Sequence, residues 1–465
     1  MYIVAHKKNK HTRSASKALM RDDNTALISA VKKAIWLYYL LLIFEGALRK
    51  WILPPLATPL LLVRDPVACY LIFMAWHHKL VKLTASVAVV TFIGIAAIYS
   101  AVFFGHGNLF VALFGARIML LHFPVIFIIA QILTREDVIK MGIVTMWISI
   151  PMALLIAGQF YSPQSAWINR GLGGDINGAG FDGAMGYFRP PGTFSFTNGI
   201  TLFFGFDACF VFYFLLNQKE VNKMLLVGAT LSLLAAIPLS ISRGLFFQVL
   251  TCTAFTLMTI SRKPQYIGRI LVAALIGTLA LMLLNKATFF QTATAAFTDR
   301  FTTASEHEGG LHGTLNDRFL GGLIMQLSEA FNYPFFGYGM GMGTNAGSQL
   351  LVGNRSFLIA ESEWGRLFGE LGAAMGITIV LVRLTICLKM LFGAYGKLAS
   401  GDLLPWIVLS FSLIAIGQGG WAQPTSMGFS IICGGVALAL VKREKEPDNA
   451  RHVRKINSFP LNENN

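Results

Sequence analysis

The stretch Ile237-Pro238-Leu239-Ser240-Ile241-Ser242-Arg243-Gly244-Leu245-Phe246-Phe247 decides how this chain is read. It lies within roughly forty residues that are otherwise almost wholly apolar. An arginine at mid-bilayer costs about 2.5–3.5 kcal/mol on insertion scales. Arg243 therefore marks a helix junction near a membrane surface, or it faces an anionic partner. Either way the chain is a membrane protein that handles something negatively charged.

The composition agrees. The chain has 465 residues, 55% hydrophobic and 13% charged, with a mean hydropathy of +0.60. A soluble domain carries about 25% charged residues. Apolar stretches near twenty residues recur throughout, so the expected fold is all-α, a polytopic integral membrane helix bundle. Twelve spans are predicted, at 34–53, 57–76, 83–104, 109–133, 138–160, 192–216, 222–241, 243–260, 266–284, 366–388, 403–421 and 425–441. They divide the chain into a basic segment 1–33, a membrane domain 34–441 and a solvated tail 442–465. The first thirty residues lack the short apolar core of a cleaved signal peptide. Cys69, Cys209, Cys252, Cys387 and Cys433 each fall alone in a predicted span, which argues against disulfides and structural zinc.

Positive charge orients the bundle. With the N-terminus in the cytoplasm, the inside segments carry 25 of the 38 Lys and Arg residues, and both termini are cytoplasmic. The net charge of +15 is mostly this asymmetry plus attraction to anionic lipid, so the lipid bilayer is the implied partner and nucleic acid is not. The kind of cation differs between the faces. The inside segments hold 17 Lys and 8 Arg, whereas the exterior has Arg170, Arg189, Arg243, Arg300, Arg318, Arg355 and Arg366 against only Lys286. The rigid guanidinium fork binds phosphate oxygens bidentately. An outer face rich in Arg and poor in Lys points to phosphate recognition at the membrane–water boundary; the alternative is that these arginines snorkel or pair with local carboxylates.

Two exterior segments are long. The first, 161–191, is glycine-rich and leads into Tyr187-Phe188-Arg189-Pro190-Pro191-Gly192-Thr193-Phe194. The second, 285–360, carries Asp317–Phe331, whose apolar residues recur at helical spacing and read as an amphipathic helix on the outer leaflet. Gly337-Tyr338-Gly339-Met340-Gly341-Met342-Gly343 is either a tight turn or a backbone cradle for phosphate. Glu361-Ser362-Glu363-Trp364-Gly365-Arg366 opens the tenth span; Glu361 and Glu363 are candidate general bases there, although acidic residues also suit a helix N-terminus. His312 is a candidate proton carrier. His307 lies between Glu306 and Glu308, but adjacent residues rarely converge on one ion, and no metal site is expected. Glu45 and Arg49, at i, i+4, read as an intrahelical ion pair, and Arg64, Asp65 and Arg117 as further charges within the bundle.

These motifs together resemble the superfamily of O-antigen ligases and O-antigen polymerases, bacterial surface-polysaccharide enzymes. The matching residues are Arg189-Pro190-Pro191-Gly192-Thr193-Phe194 with Asn198, the Ser242-Arg243-Gly244 corner, Pro334-Phe335-Phe336-Gly337-Tyr338-Gly339, and Glu370-Leu371-Gly372-Ala373-Ala374-Met375-Gly376. Their order and topological placement carry the likeness, with the largest exterior loop between the ninth and tenth spans. The resemblance implies an enzyme of the bacterial inner membrane whose exterior loops are periplasmic. It would transfer a glycan from a polyprenyl-diphosphate-linked donor to a sugar hydroxyl on a glycan acceptor, without metal or other cofactor. Polysaccharide export or chain-length proteins are the implied protein partners. Arg189 and Arg243 would hold the diphosphate, with Arg318 and Arg366 as further ligands, and fixed guanidinium groups would stabilise the charge that develops on it as it leaves. One departure stands out: ligases of this group show a His followed by Asn shortly before the tenth-helix Glu, where this chain has Glu361 and Ser362. That weakens the lipopolysaccharide-ligase reading, leaves an exopolysaccharide or O-antigen polymerase more plausible, and lets a carboxylate stand in for the imidazole as base, with Glu363 as the neighbouring candidate. The alternative reading is a transporter or flippase of a polar or anionic solute, drawing on Glu45, Arg64, Asp65 and Arg117.

Overall fold

The structure is a computed structural model that describes residues 3–262, 264–308, 322–353, 358–360 and 362–442. Sixteen helices are set out here in chain order. They are α1 (Ile3–Ala47), α2 (Asp65–His77), α3 (Ala85–Phe103), α4 (Leu109–Arg117), α5 (Phe123–Ile132), α6 (Arg135–Tyr161), α7 (Asn198–Leu216) and α8 (Lys223–Leu239). Then follow α9 (Arg243–Arg262), α10 (Ile267–Leu284), α11 (Thr288–Glu308), α12 (Gly322–Glu329), α13 (Asn345–Val352), α14 (Glu363–Ser400), α15 (Leu404–Gly417) and α16 (Pro424–Val441). A two-stranded antiparallel hairpin, β1 (Phe181–Ala184) and β2 (Tyr187–Arg189), is the sole sheet among the described residues.

Each of the twelve apolar segments read from the sequence overlaps α-helix, although 57–64, 192–197 and 418–421 lie outside it. Eight helical stretches are long and apolar enough to cross a membrane: Thr25–Ile52, Pro59–His77, Ala85–Phe103, Leu109–Ile132, Arg135–Tyr161, Asn198–Leu216, Glu363–Ser400 and Pro424–Val441. Lys223–Leu239 and Leu404–Gly417 are apolar but shorter. The protein is thus a multi-pass membrane protein.

Helix starts follow local chemistry. Thr134 caps α6 in a reciprocal box with Asp137, which satisfies two backbone donors that the first turn otherwise leaves unpaired. Helices with apolar residues all round go to the centre. So α7, α5 and α16 form the core, with Phe203, Phe206, Phe210, Ile126, Ile129, Phe429 and Ile432 all buried. The rim helices α3 and α10 instead expose Phe92, Tyr99, Phe103, Leu271 and Leu275 on their outward faces.

The sequence read α14 as one continuous span. In the structure it breaks at Gly372, where φ is +74° and ψ 173°. The arm Glu363–Leu371 folds back beside the longer arm, and Arg383 Nη1 meets Glu363 Oε1 at 2.8 Å across 20 residues of sequence. In an unbroken helix those residues would stand about 30 Å apart. The amphipathic helix expected over Asp317–Phe331 is α12 in its described part. Ile324, Met325 and Leu327 point outward, while Gln326 Oε1 accepts from the Gly365 backbone N–H at 3.1 Å.

Candidate functional site

Arg189 is held by a chain of backbone locks. In the hairpin it pairs with Phe181, and the turn Met185-Gly186 has positive φ at both positions, the handedness that suits a two-residue hairpin loop. Gly192, three residues on, has φ +59°. Its N–H donates to Gln159 Oε1 at 2.7 Å and its carbonyl accepts from the buried Lys50 Nζ at 2.6 Å. Thr193 Oγ1 donates to the Ile43 carbonyl at 2.6 Å, and Arg49 Nη1 to Ser195 Oγ at 3.1 Å. A Cβ on Gly46 would run into the backbone of 193–195, so only glycine lets α1 approach this closely. The segment after Arg189 is thereby fixed to the end of the first helix.

Arg243 begins α9 directly after a strained corner. Ile241 sits at φ +46°, a left-handed conformation that costs a β-branched residue about 1–2 kcal/mol. Ser242 Oγ accepts from the Leu245 N–H at 3.2 Å and shares a 2.7 Å hydrogen bond with Thr201 Oγ1 on α7. Three and four residues past Arg243, Phe246 and Phe247 meet Phe301 on α11 with ring centroids 5.5 and 5.9 Å apart, and Phe246 also meets Phe297 at 6.0 Å. Helical spacing, i to i+3, places Arg300 on the same face as Phe297. Its Nη1 donates at 2.9 Å to the carbonyl of Gly183, where the strand register slips. The hairpin, the α8–α9 corner and α11 thus bring Arg189, Arg243 and Arg300 together.

The electrostatics of this group are unusual. Burial first, then the charges of Arg300 and Arg243, push the Arg189 guanidinium down to about 10. Its Nε is buried with no hydrogen-bond partner, and Arg189 makes no ion pair among the described residues. A guanidinium crowded by two others is an electrostatic cost to the folded chain that an anion would relieve. Arg300 was one exterior arginine among several in the sequence. No local signal singled it out, because its position depends on how α11 packs against α8, β1 and the α9 aromatics.

The second candidate group behaves differently. Glu363, Arg366, Glu370 and Arg383 are all buried and bind one another. Arg366 donates through Nε and Nη2 to Glu363 at 3.1 and 2.8 Å and through Nη1 to Glu370 at 2.5 Å. Arg383 donates to Glu363 and to the carbonyls of Ile416 and Gly419, at 2.7–2.8 Å, and lies 4.2 Å over the Trp421 ring. Glu363 Oε2 also accepts from the Trp421 N–H at 3.0 Å. The adjoining cavity, lined by Val90, Phe123 and Leu367 among others, is about 10 Å³, room for roughly one water. Glu363 and Arg366, read from the sequence as base and phosphate ligand, are here spent on each other.

The glycine-rich turn is the mate of this cluster. Tyr338 N–H donates to the Gly369 carbonyl at 2.7 Å and Gly339 N–H to that of Glu370 at 3.2 Å, both released by the break at Gly372. Gly343 N–H donates to Glu370 Oε1 at 2.8 Å. The backbone donors that a phosphate cradle would use are turned instead onto α14. His312, Arg318 and Glu361 lie outside the described residues.

Glu45, Arg49, Arg64, Asp65 and Arg117, the charges that the sequence placed within the bundle, are also paired. Glu45 bridges Arg49 and Arg64, each at 3.2 Å. Asp65 joins Arg117 at 2.9 Å and His122 at 3.0 Å, and His122 Nδ1 lies 3.0 Å from the Tyr38 hydroxyl. Comparison with protein-family models, curated proteins and solved structures finds no match for this chain.

Proposed function

We propose that this protein is a glycosyltransferase working on the outer face of the bacterial inner membrane. It moves a glycan from a polyprenyl-diphosphate carrier to a sugar hydroxyl, polymerising or ligating a surface polysaccharide. The observation that carries this reading is the convergence of Arg189, Arg243 and Arg300 on one point. A diphosphate would bring negative charge to Arg189, whose guanidinium stands beside two of its own sign. Held there, the cluster would stabilise it as a leaving group, a role worth about 10²–10³ in rate for a single well-placed donor. A single displacement would invert the sugar's anomeric centre. Twelve crossings, cytoplasmic termini and periplasmic 161–191 and 285–360 complete the proposal.

Glu363 is better cast as a positioning residue than as the base, because both its oxygens are engaged by arginines and a backbone N–H. Glu361 and His312 remain the candidates for proton removal. The transport reading drew on Glu45, Arg64, Asp65 and Arg117, but these charges are engaged with one another.

The test is genetic and chemical together. Arg243→Ala should abolish polymer while the protein still inserts, and Arg243→Lys should also be impaired, since a point charge cannot replace the fork. Normal polymer yield in Arg243→Ala would remove the main support. On deletion, one repeat unit stranded on the carrier lipid would mark a polymerase, and full-length polymer a ligase.

A further inference from the structure

Helix α7 begins at Asn198, beside the arginine cluster, and ends at Leu216, about 28 Å of helix away. At that far end a cavity of about 420 Å³ opens, lined by Asn217, Gln218, Lys219, Glu220 and Arg269. Its volume falls within the range of small-ligand sites, about 300–1,000 Å³. Arg269 is fixed there: Nη1 donates to the Leu216 carbonyl, and the guanidinium lies 5.4 Å over the Tyr266 ring. Lys219 makes no ion pair among the described residues. Glu220 is engaged elsewhere, its Oε2 accepting from the Tyr213 hydroxyl at 2.9 Å. That hydroxyl in turn accepts from Arg135 Nη2 at 2.7 Å. The cavity thus carries two cations against one carboxylate that already accepts from Tyr213, and the Lys219 ammonium and the remaining N–H groups of Arg269 face it.

The remaining groups define the ligand further. Asn217 and Gln218 turn their amide nitrogens onto the carbonyls of Tyr213 and Leu215, which leaves their amide oxygens as acceptors. Beside the cavity, Leu271, Leu275, Leu279 and Met282 form one exposed apolar stripe along α10. Two cations suit a phosphodiester, amide oxygens suit hydroxyl donors, and an apolar stripe suits acyl chains. We propose that this cavity binds the headgroup of an anionic phosphoglycerolipid. Basic pockets between membrane helices on the cytoplasmic side hold such headgroups elsewhere, and the positive-charge bias of this chain puts residues 217–223 on that side. The site needs none of the proposed transfer chemistry.

The experiment uses the full chain in nanodiscs of phosphatidylcholine, with or without phosphatidylglycerol. Phosphatidylglycerol should raise Tm by several degrees, and native mass spectrometry should find it retained on the protein. The Lys219→Ala, Arg269→Ala double variant should lose that rise and the retained lipid. Because Arg269 also anchors α7, Lys219→Ala alone serves as control; it removes no hydrogen bond and should lose at least half of the rise. Glycerol 3-phosphate added to phosphatidylcholine discs should leave Tm unchanged; an equal rise would overturn a lipid source in favour of a free phosphate. Full retention of shift and bound lipid in Lys219→Ala and the double variant would overturn the site.

Discussion

Two of the arginine clusters among the described residues are solved in opposite ways. Around Glu363, two guanidinium groups face two carboxylates, and nearly every polar atom is spoken for inside the protein. Around Arg189, a guanidinium is set beside two more of its own sign. The first arrangement closes on itself and holds a broken helix together. The second stores a repulsion that a ligand can release. Arginine count alone does not separate a strut from a receptor; the sign of the neighbouring charge does.

The contrast can be broken by mutation. The largest effect is expected at Arg189→Ala: polymer synthesis in membranes should fall by about 10²–10³, while the Tm of the purified protein does not drop. A lower Tm with proportionate activity would make Arg189 a strut as well. Next comes Glu363→Ala, which leaves Arg383 without a carboxylate in the interior and Arg366 with Glu370 alone. Breaking one side of such a network costs about 3–5 kcal/mol, read as a lower Tm and poor folded yield. If the folded fraction kept its Tm yet made no polymer, Glu363 would belong to the chemistry after all. Gly372→Ala should cost about 2–3 kcal/mol, because a side chain there meets both a left-handed backbone and the Phe335 carbonyl. An unchanged Tm would mean that the break is not needed.

The smallest effect is in pH dependence. Arg189 is charged below about 10 and neutral above it, and its folded value is depressed. The folded state is thus penalised at neutral pH, and that penalty lifts as pH rises through 10. Tm without ligand should edge upward there. Stabilisation by inorganic pyrophosphate should fade above about pH 10. Stabilisation that persists unchanged at pH 11 would place the anion away from Arg189.

Much of the bundle was legible in the sequence because length and hydropathy are local properties. Arg189 and Arg243 stood out since an arginine in apolar surroundings must have a reason. Arg300 did not, as its place comes from the packing of α11 against α8, β1 and the α9 aromatics. The spacing of Glu363, Arg366 and Glu370 did hold the signal for an ion-pair ladder, the same i, i+4 rule that identified Glu45 with Arg49. What concealed it was position: acids at a helix mouth suggest solvent, whereas the fold-back at Gly372 carries Glu363 into the interior. That fold-back needs the glycine-rich turn to take up the freed carbonyls, a long-range partnership with no local mark beyond the glycines themselves.

The lock between Lys50 and Gly192 spans 142 residues and sets an order of assembly. When the first helix leaves the ribosome, the carbonyl that will receive its lysine has yet to be synthesised. Until then, that end of the helix carries an ammonium group it cannot bury. We expect nascent chains arrested before Gly192 to leave the 45–52 region open to protease, and chains arrested beyond α7 to protect it. The arginine-bearing hairpin would then act as a checkpoint in biogenesis, delaying closure of the outer rim until its own residues arrive.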